Sequence, residues 1–148
     1  MLSYNINMNI NRINISVTSL AEYYSRSGDL SSLSFGSVSA IEGTRLHTKI
    51  FKDLSSEYGD DFSSEYYFKI DYPGNGIILN VSGRADVLLK SKIDGSLRII
   101  EIKSFNSSKN SFEKLVRDEH LSQLKLYGAM YLLLNDNIDS IKMSLRYV

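Results

Sequence analysis

The stretch Ile77-Ile78-Leu79-Asn80-Val81-Ser82-Gly83-Arg84-Ala85-Asp86-Val87-Leu88-Leu89 meets a turn at Asp94-Gly95 and returns as Leu97-Arg98-Ile99-Ile100-Glu101-Ile102-Lys103. Both arms are rich in aliphatic and β-branched residues and are bounded by turn residues, so they read as a hairpin of two strands. A two-residue turn at Asp94-Gly95 sets Asp86 opposite Lys103 and Leu88 opposite Glu101. Opposed residues share a face of the sheet, as do residues two apart on one strand. Asp86, Glu101 and Lys103 therefore gather at one end of one face. Val87, Ile100 and Ile102 turn the other way and pack under helices. Gly83 marks a bulge or a close approach by another element.

Outward from this hairpin, Tyr66 to Tyr72 reads as a strand and Pro73-Gly74-Asn75-Gly76 as a turn. Residues 1–14 are rich in Asn and Ile and read as extended chain, and Ser16 or Thr18 caps a short helix through Tyr24. Ser25 to Gly36 is a Ser- and Gly-rich loop. From Ser37 to about Tyr58, Val38, Ile41, Leu46, Ile50, Phe51 and Leu54 recur near helical spacing, as one helix or two broken near Gly43. The third strand extends from Leu97 to Phe105. A polar loop follows at Asn106 to Asn110, and Ser111 caps a long helix to about Leu134. Ile141 to Val148 alternates like a strand and stops without a polar tail, as expected of a fragment of a longer protein. The class is α/β (α+β), with a central mixed sheet of about four strands flanked by helices. The expected organisation is one domain over 1–148, with an N-terminal extension and short helix at 1–36 and a core at 37–148.

The chain has 148 residues, of which 43% are hydrophobic, enough for one core. No apolar run is long enough to cross a bilayer, and no secretory signal pattern opens the chain. The absence of Cys excludes disulfides, thiolate zinc sites and Cys-ligated iron–sulfur clusters from this segment. A cytoplasmic setting is the default expectation. Formal net charge is zero, so no basic field covers the whole domain. Lys and Arg nevertheless crowd near the acid pair and after it, among them Arg84, Lys103, Lys109, Lys114, Arg117 and Lys125. That crowding is either a solvated surface or a track for phosphates.

Two carboxylates held side by side repel, and a divalent cation between them lets both stay ionised. A lysine beside such a cation suits chemistry in which negative charge builds on a phosphate. The plainer reading is a surface ion pair of Asp86 with Lys103, worth roughly 0–1 kcal/mol. Gln123 and Tyr127 lie four apart in the long helix and share a face, which His120 extends toward the helix start. They can donate hydrogen bonds to a phosphate or a base edge, or Gln123 can simply face water. His47 lies between Leu46 and Ile50, as a structural histidine or as a ligand.

Together these residues resemble the PD-(D/E)XK nuclease superfamily, and within it the RecB-like branch. His47 matches the helical histidine, Gly83-Arg84-Ala85-Asp86 the Gly-x-x-Asp, Glu101-Ile102-Lys103 the acid-x-Lys, and Gln123-Leu124-Lys125-Leu126-Tyr127 the Gln-x-x-x-Tyr of the following helix. The likeness spans about residues 38–131. Ala85 stands where the family name has Pro, and the iron–sulfur cluster of some relatives has no ligands here. The resemblance implies a restriction-endonuclease-like core and a Mg²⁺- or Mn²⁺-dependent deoxyribonuclease. Asp86, Glu101, the Ile102 carbonyl and His47 would hold the metal, Lys103 would act on water or phosphate, and Gln123 and Tyr127 would position the strand. Arg84, Lys109 and Lys125 are further candidates for DNA phosphates. Ile15 to Glu22 with Ser27-Gly28-Asp29-Leu30 is similar to the start of bacterial proteins in which such a nuclease precedes a DinG/XPD-type helicase. That likeness implies a helicase domain in the same polypeptide, and the resemblances together lead to the expectation of an exonuclease on single-stranded DNA or duplex ends, active in repair or recombination near the nucleoid. The alternatives are a DNA-binding or scaffolding module that keeps the fold without catalysis, and a hydrolase of another phosphodiester.

Overall fold

The computed structural model of the chain describes residues 11–26, 40–104 and 118–148. Strand β1, Asn11–Ser16, runs directly into helix α1, Val17–Ser25. Ser16 keeps an extended backbone and its side chain accepts the Ser19 N–H at 3.0 Å, so it is the expected N-cap. Helix α2, Ala40–Tyr58, passes Gly43 without a break. Strands β2, Phe62–Gly74, and β3, Ile77–Lys90, form a long hairpin with Asn75 and Gly76 at positive φ in its turn. Strand β4, Leu97–Lys103, helix α3, Asp118–Leu134, and strand β5, Lys142–Tyr147, complete the order. The expected cap at Ser111 and loop at Asn106–Asn110 lie outside the described residues, as do Ser27–Gly36, Lys109, Lys114 and Arg117.

The sheet has five strands among the described residues, one more than expected. The added one is β1, which pairs in parallel with Ile77–Ser82 of β3. Its Asn- and Arg-containing sequence lacks a buried alternation, so its pairing rests on the backbone and left little periodic signal. Arg12 reaches Asp71 of β2 at 2.9 Å, and Asn80 of β3 donates to the same carboxylate at 2.6 Å, tying three strands together. β4 pairs antiparallel with β3 and parallel with β5.

Each face of the sheet carries a core. Val17 of α1 and Leu124, Tyr127, Met130 and Tyr131 of α3 pack on Phe68, Val81, Ala85, Leu88 and Ile99. On the other face Ile50 and Leu54 of α2 pack on Val87, Leu89, Ile100 and Ile102, as the alternation of Val87, Ile100 and Ile102 led us to expect.

The register of the β3–β4 hairpin departs from the expected one by two residues. Leu88 lies across from Ile99, and Val87 from Ile100. The cause is the loop: Ser91 and Ser96 close it through Ser91 N–H to Ser96 O at 2.8 Å, with Gly95 at φ +68 inside. Asp94 Oδ1 accepts the Ser96 N–H at 3.0 Å and stabilises this wider turn in place of a two-residue one. A shift of two leaves the side chains of the paired residues, Val87 to Lys90 and Leu97 to Ile100, on their expected faces, because the strand period is two.

Candidate active site

A strand has two edges. Along β3, β2 occupies one edge from Ile77 to Leu89. β1 and β4 share the other edge in tandem, β1 beside Ile77–Ser82 and β4 beside Val87–Lys90. Between them Gly83-Arg84-Ala85-Asp86 has no strand neighbour on that edge, and the sheet opens into a fork. Buried backbone groups left by a missing ladder need other partners. The Tyr127 hydroxyl donates to the Arg84 carbonyl at 2.8 Å, and the Asp86 carboxylate accepts the Ile102 N–H at 2.6 Å. Val17, at the first turn of α1, fills the fork beside Gly83. A Cβ on Gly83 would stand 2.8 Å from the Tyr127 hydroxyl and 3.0 Å from Val17 Cβ, so this glycine is the expected close approach.

Glu101 and Lys103 project from β4 toward α3. Glu101 is 3% exposed, and its Oε1 receives Lys103 Nζ at 2.9 Å and Gln123 Nε2 at 2.7 Å. Gln123 Oε1 accepts a second Lys103 N–H at 2.8 Å. Gln123 is thus buried and bridges the acid and the lysine, rather than facing water. Among the described residues, two of the three ammonium protons of Lys103 are used. Oε2 of Glu101 is buried without a hydrogen-bond partner among the described residues. His47 reaches in from α2, its Nδ1 3.8 Å from Asp86 Oδ1, beyond hydrogen-bond reach. One turn before Gln123, His120 Nδ1 lies 3.0 Å from the Tyr147 hydroxyl at the end of β5.

Electrostatics follow from this burial. Desolvation, then the charge of Asp86, push the Glu101 carboxyl up to about 7 against the pull of Lys103. Burial also raises Asp86, opposed by the Ile102 N–H and by the charges of His47 and Lys103. Tyr127 is pushed up to about 12, chiefly by burial, and so remains a donor to Arg84. Two neighbouring carboxyls that both resist ionisation form a site that favours added positive charge.

The family model of the PD-(D/E)XK nuclease superfamily matches residues 27–148. The chain belongs to the PD-(D/E)XK nuclease superfamily. Activity is a property of that superfamily, which is described as one of nucleases. Among solved structures it is similar to one described as "Crystal structure of SSO0001", with a TM-score of 0.63 and 24% identity. The match covers 91% of this chain and 62% of that one, and at this identity it bears on the fold alone. No curated protein matches the chain.

PD-(D/E)XK nucleases usually use divalent metals, and the residues present here fit one. Among the described residues no group of three His, Cys, Asp or Glu side chains stands gathered for a metal. The fit rests on the unpartnered Oε2 of Glu101, since a buried carboxylate oxygen without a donor is costly and a hard cation accepts such oxygens. Val148 N–H bonds the Lys103 carbonyl on the β5 side, so strand alternation turns the Ile102 carbonyl toward the fork. Arg84 and Lys125 are exposed, while Lys109 lies outside the described residues. No described helix is long and apolar enough to cross a membrane.

Sequence reading passed over Glu65. It lies on β2 between Ser64 and Tyr66, which pair with Val87 and Ala85 on either side of Asp86; its charge helps to raise the Asp86 carboxyl, and its φ is +50. The strand was expected to begin at Tyr66 but begins at Phe62, and nothing in Ser63-Ser64-Glu65 signals a left-handed residue.

Proposed function

We propose that the protein is a divalent-metal-dependent deoxyribonuclease of the RecB-like branch, acting as an exonuclease on DNA ends in repair or recombination, with a helicase domain in the same polypeptide. The observation that carries the metal-dependent reading is Glu101: a buried carboxylate with one oxygen held by Lys103 and Gln123 and the other unpartnered, beside the raised carboxyl of Asp86. The finer assignment to the RecB-like branch, and with it exonuclease action, rests on the order of His47, Gly83-x-x-Asp86, Glu101-x-Lys103 and Gln123-x-x-x-Tyr127, and the helicase rests on the likeness of Ile15 to Glu22 with Ser27-Gly28-Asp29-Leu30.

Asp86, Glu101 and the Ile102 carbonyl would hold Mg²⁺ or Mn²⁺, with His47 at the margin. When bound, such a cation supplies Lewis-acid charge to a scissile phosphate and lowers the pKa of water. Lys103 directs its remaining N–H at the attacking water or at a phosphate oxygen as charge develops. Gln123 holds Lys103 and Glu101 in fixed relation, so that the ammonium does not collapse onto both carboxylate oxygens. Tyr127 keeps the Arg84 carbonyl satisfied and the fork open. Arg84 and Lys125 supply exposed positive charge for the DNA backbone.

The test is cleavage of end-labelled single-stranded and duplex DNA with Mg²⁺, with Mn²⁺ and with EDTA. Cleavage is expected with metal and not with EDTA, and Glu101→Ala or Lys103→Ala should lower it by about 10²–10³-fold. Wild-type rates in both variants would refute the assignment. Removal of unlabelled nucleotides from the ends inward separates exonuclease from internal cutting.

A further inference from the structure

In a regular strand, residues two apart share a face. Ala85 and Val87 do not: both are fully buried, Ala85 in the core under α1 and α3, Val87 in the core under α2. The partner strand behaves alike. Tyr66 and Phe68 pack with the first core, whereas Phe62 packs with the second. The register is unbroken across this reversal, since Ser64 faces Val87 and Tyr66 faces Ala85. Only the rung between them, Glu65 with Asp86, forms no ladder pair. Both strands therefore reverse their faces at one rung, and the residue that absorbs the reversal on β2 is Glu65, with φ +50 in the middle of a strand. A non-glycine residue in that region is strained, and such strain persists only where the surrounding structure imposes it.

The consequence falls on Asp86. At the reversal its side chain belongs to neither core. It lies toward the neighbouring strand, where its carboxylate takes the Ile102 N–H at 2.6 Å in place of the β3–β4 ladder, whose last pair is Val87 with Ile100. We infer that Glu65 is a positioning residue for Asp86: its left-handed backbone reverses the two strands and swings the Asp86 carboxylate out of the face and into the fork. The requirement at position 65 for this role is tolerance of positive φ and not the charge. The role matters to catalysis through the reading of Asp86 proposed above.

The experiment measures hydrogen exchange of the Ile102 amide by NMR in the full chain, together with Mn²⁺ binding by calorimetry. E65G and E65N, which accept positive φ, should keep Ile102 protection and Mn²⁺ affinity within about twofold. E65V, which a left-handed backbone disfavours most, should lose at least about tenfold in both, with E65A changing in the same direction by less. E65A carries the test if E65V does not fold. E65Q, which removes the charge, should keep full Ile102 protection and Mn²⁺ affinity within about twofold, as E65G and E65N do. Full Ile102 protection in E65V and E65A would overturn the inference, as would a loss in E65Q as large as that in E65V. A wild type that binds no Mn²⁺, with Ile102 still exposed in E65V, would support the positioning role while removing the metal reading.

Discussion

Along β3 and β4 one half of the hairpin is a closed ladder and the other half is an open fork. In the closed half Val87 to Lys90 pair with Leu97 to Ile100, and the buried side chains are aliphatic. In the open half no ladder joins Asp86 to Glu101, and the orphaned backbone groups of Arg84 and Ile102 are satisfied by a phenol and a carboxylate. The same two strands thus hold a hydrophobic core and a polar pocket within a few residues of each other. The difference teaches that the ladder's end makes the site: once the backbone stops satisfying itself, side chains must enter the sheet, and these are the side chains with chemistry to offer.

The sharpest way to break this comparison is to cut one aliphatic residue from the closed half. Ile99→Ala, at a fully buried position, should cost about 2–5 kcal/mol in urea unfolding. A cost under about 1 kcal/mol would mean that the closed half does not carry the fold.

The open half should respond with the opposite sign. The Glu101 carboxyl sits at about 7 in the folded chain and near 4.5 when unfolded. The folded state then binds more protons between those values, so metal-free stability is fully present below pH 4.5 and falls as pH rises to about 7. Asp86, also raised, adds in the same direction, while the lowered carboxyls of Asp71 and Asp94 titrate below this window. Glu101→Gln should therefore raise metal-free stability at pH 8, by up to about 3 kcal/mol, and flatten the pH dependence in denaturant titrations. Mn²⁺ should restore stability to wild type and not to the variant. A metal-free wild type that grows more stable from pH 5 to pH 8 would contradict this.

Gly83→Ala places a methyl against the Tyr127 hydroxyl and Val17, so it should destabilise by about 1–3 kcal/mol and lower DNA cleavage as well. An unchanged melting temperature would show that the fork has room to give. The smallest effect is expected from Tyr127→Phe. It leaves the Arg84 carbonyl without its donor and should cost about 1–2 kcal/mol in thermal unfolding, with a moderate loss of cleavage.

How much of this was legible in sequence depends on the range of the interaction involved. The helix cap at Ser16, the close approach at Gly83 and the shared face of Val87, Ile100 and Ile102 follow from neighbours in the chain, and each is found in the structure. The width of the Ser91–Ser96 loop was not legible, because Asp94-Gly95 suits a two-residue turn as well as a wider one. β1 escaped because its pairing with β3 is carried by backbone groups. Gln123 could be read as facing water or as facing the site, and only the packing of α3 on β4 buries it between Glu101 and Lys103.

The amino-acid sequence by itself determined the shared face of Val87, Ile100 and Ile102 and which acids, lysine and amide stand in motif order. Alternation along a strand is a local property and survives a register shift of two. Only the tertiary structure decided that β1 and β4 part along one edge of β3, that Asp86 turns into the gap at a rung reversed by Glu65, and that one oxygen of Glu101 has no donor among the described residues. These outcomes join residues far apart in the chain, and the free energy that selects them comes from satisfying buried backbone groups, which no single segment can do alone.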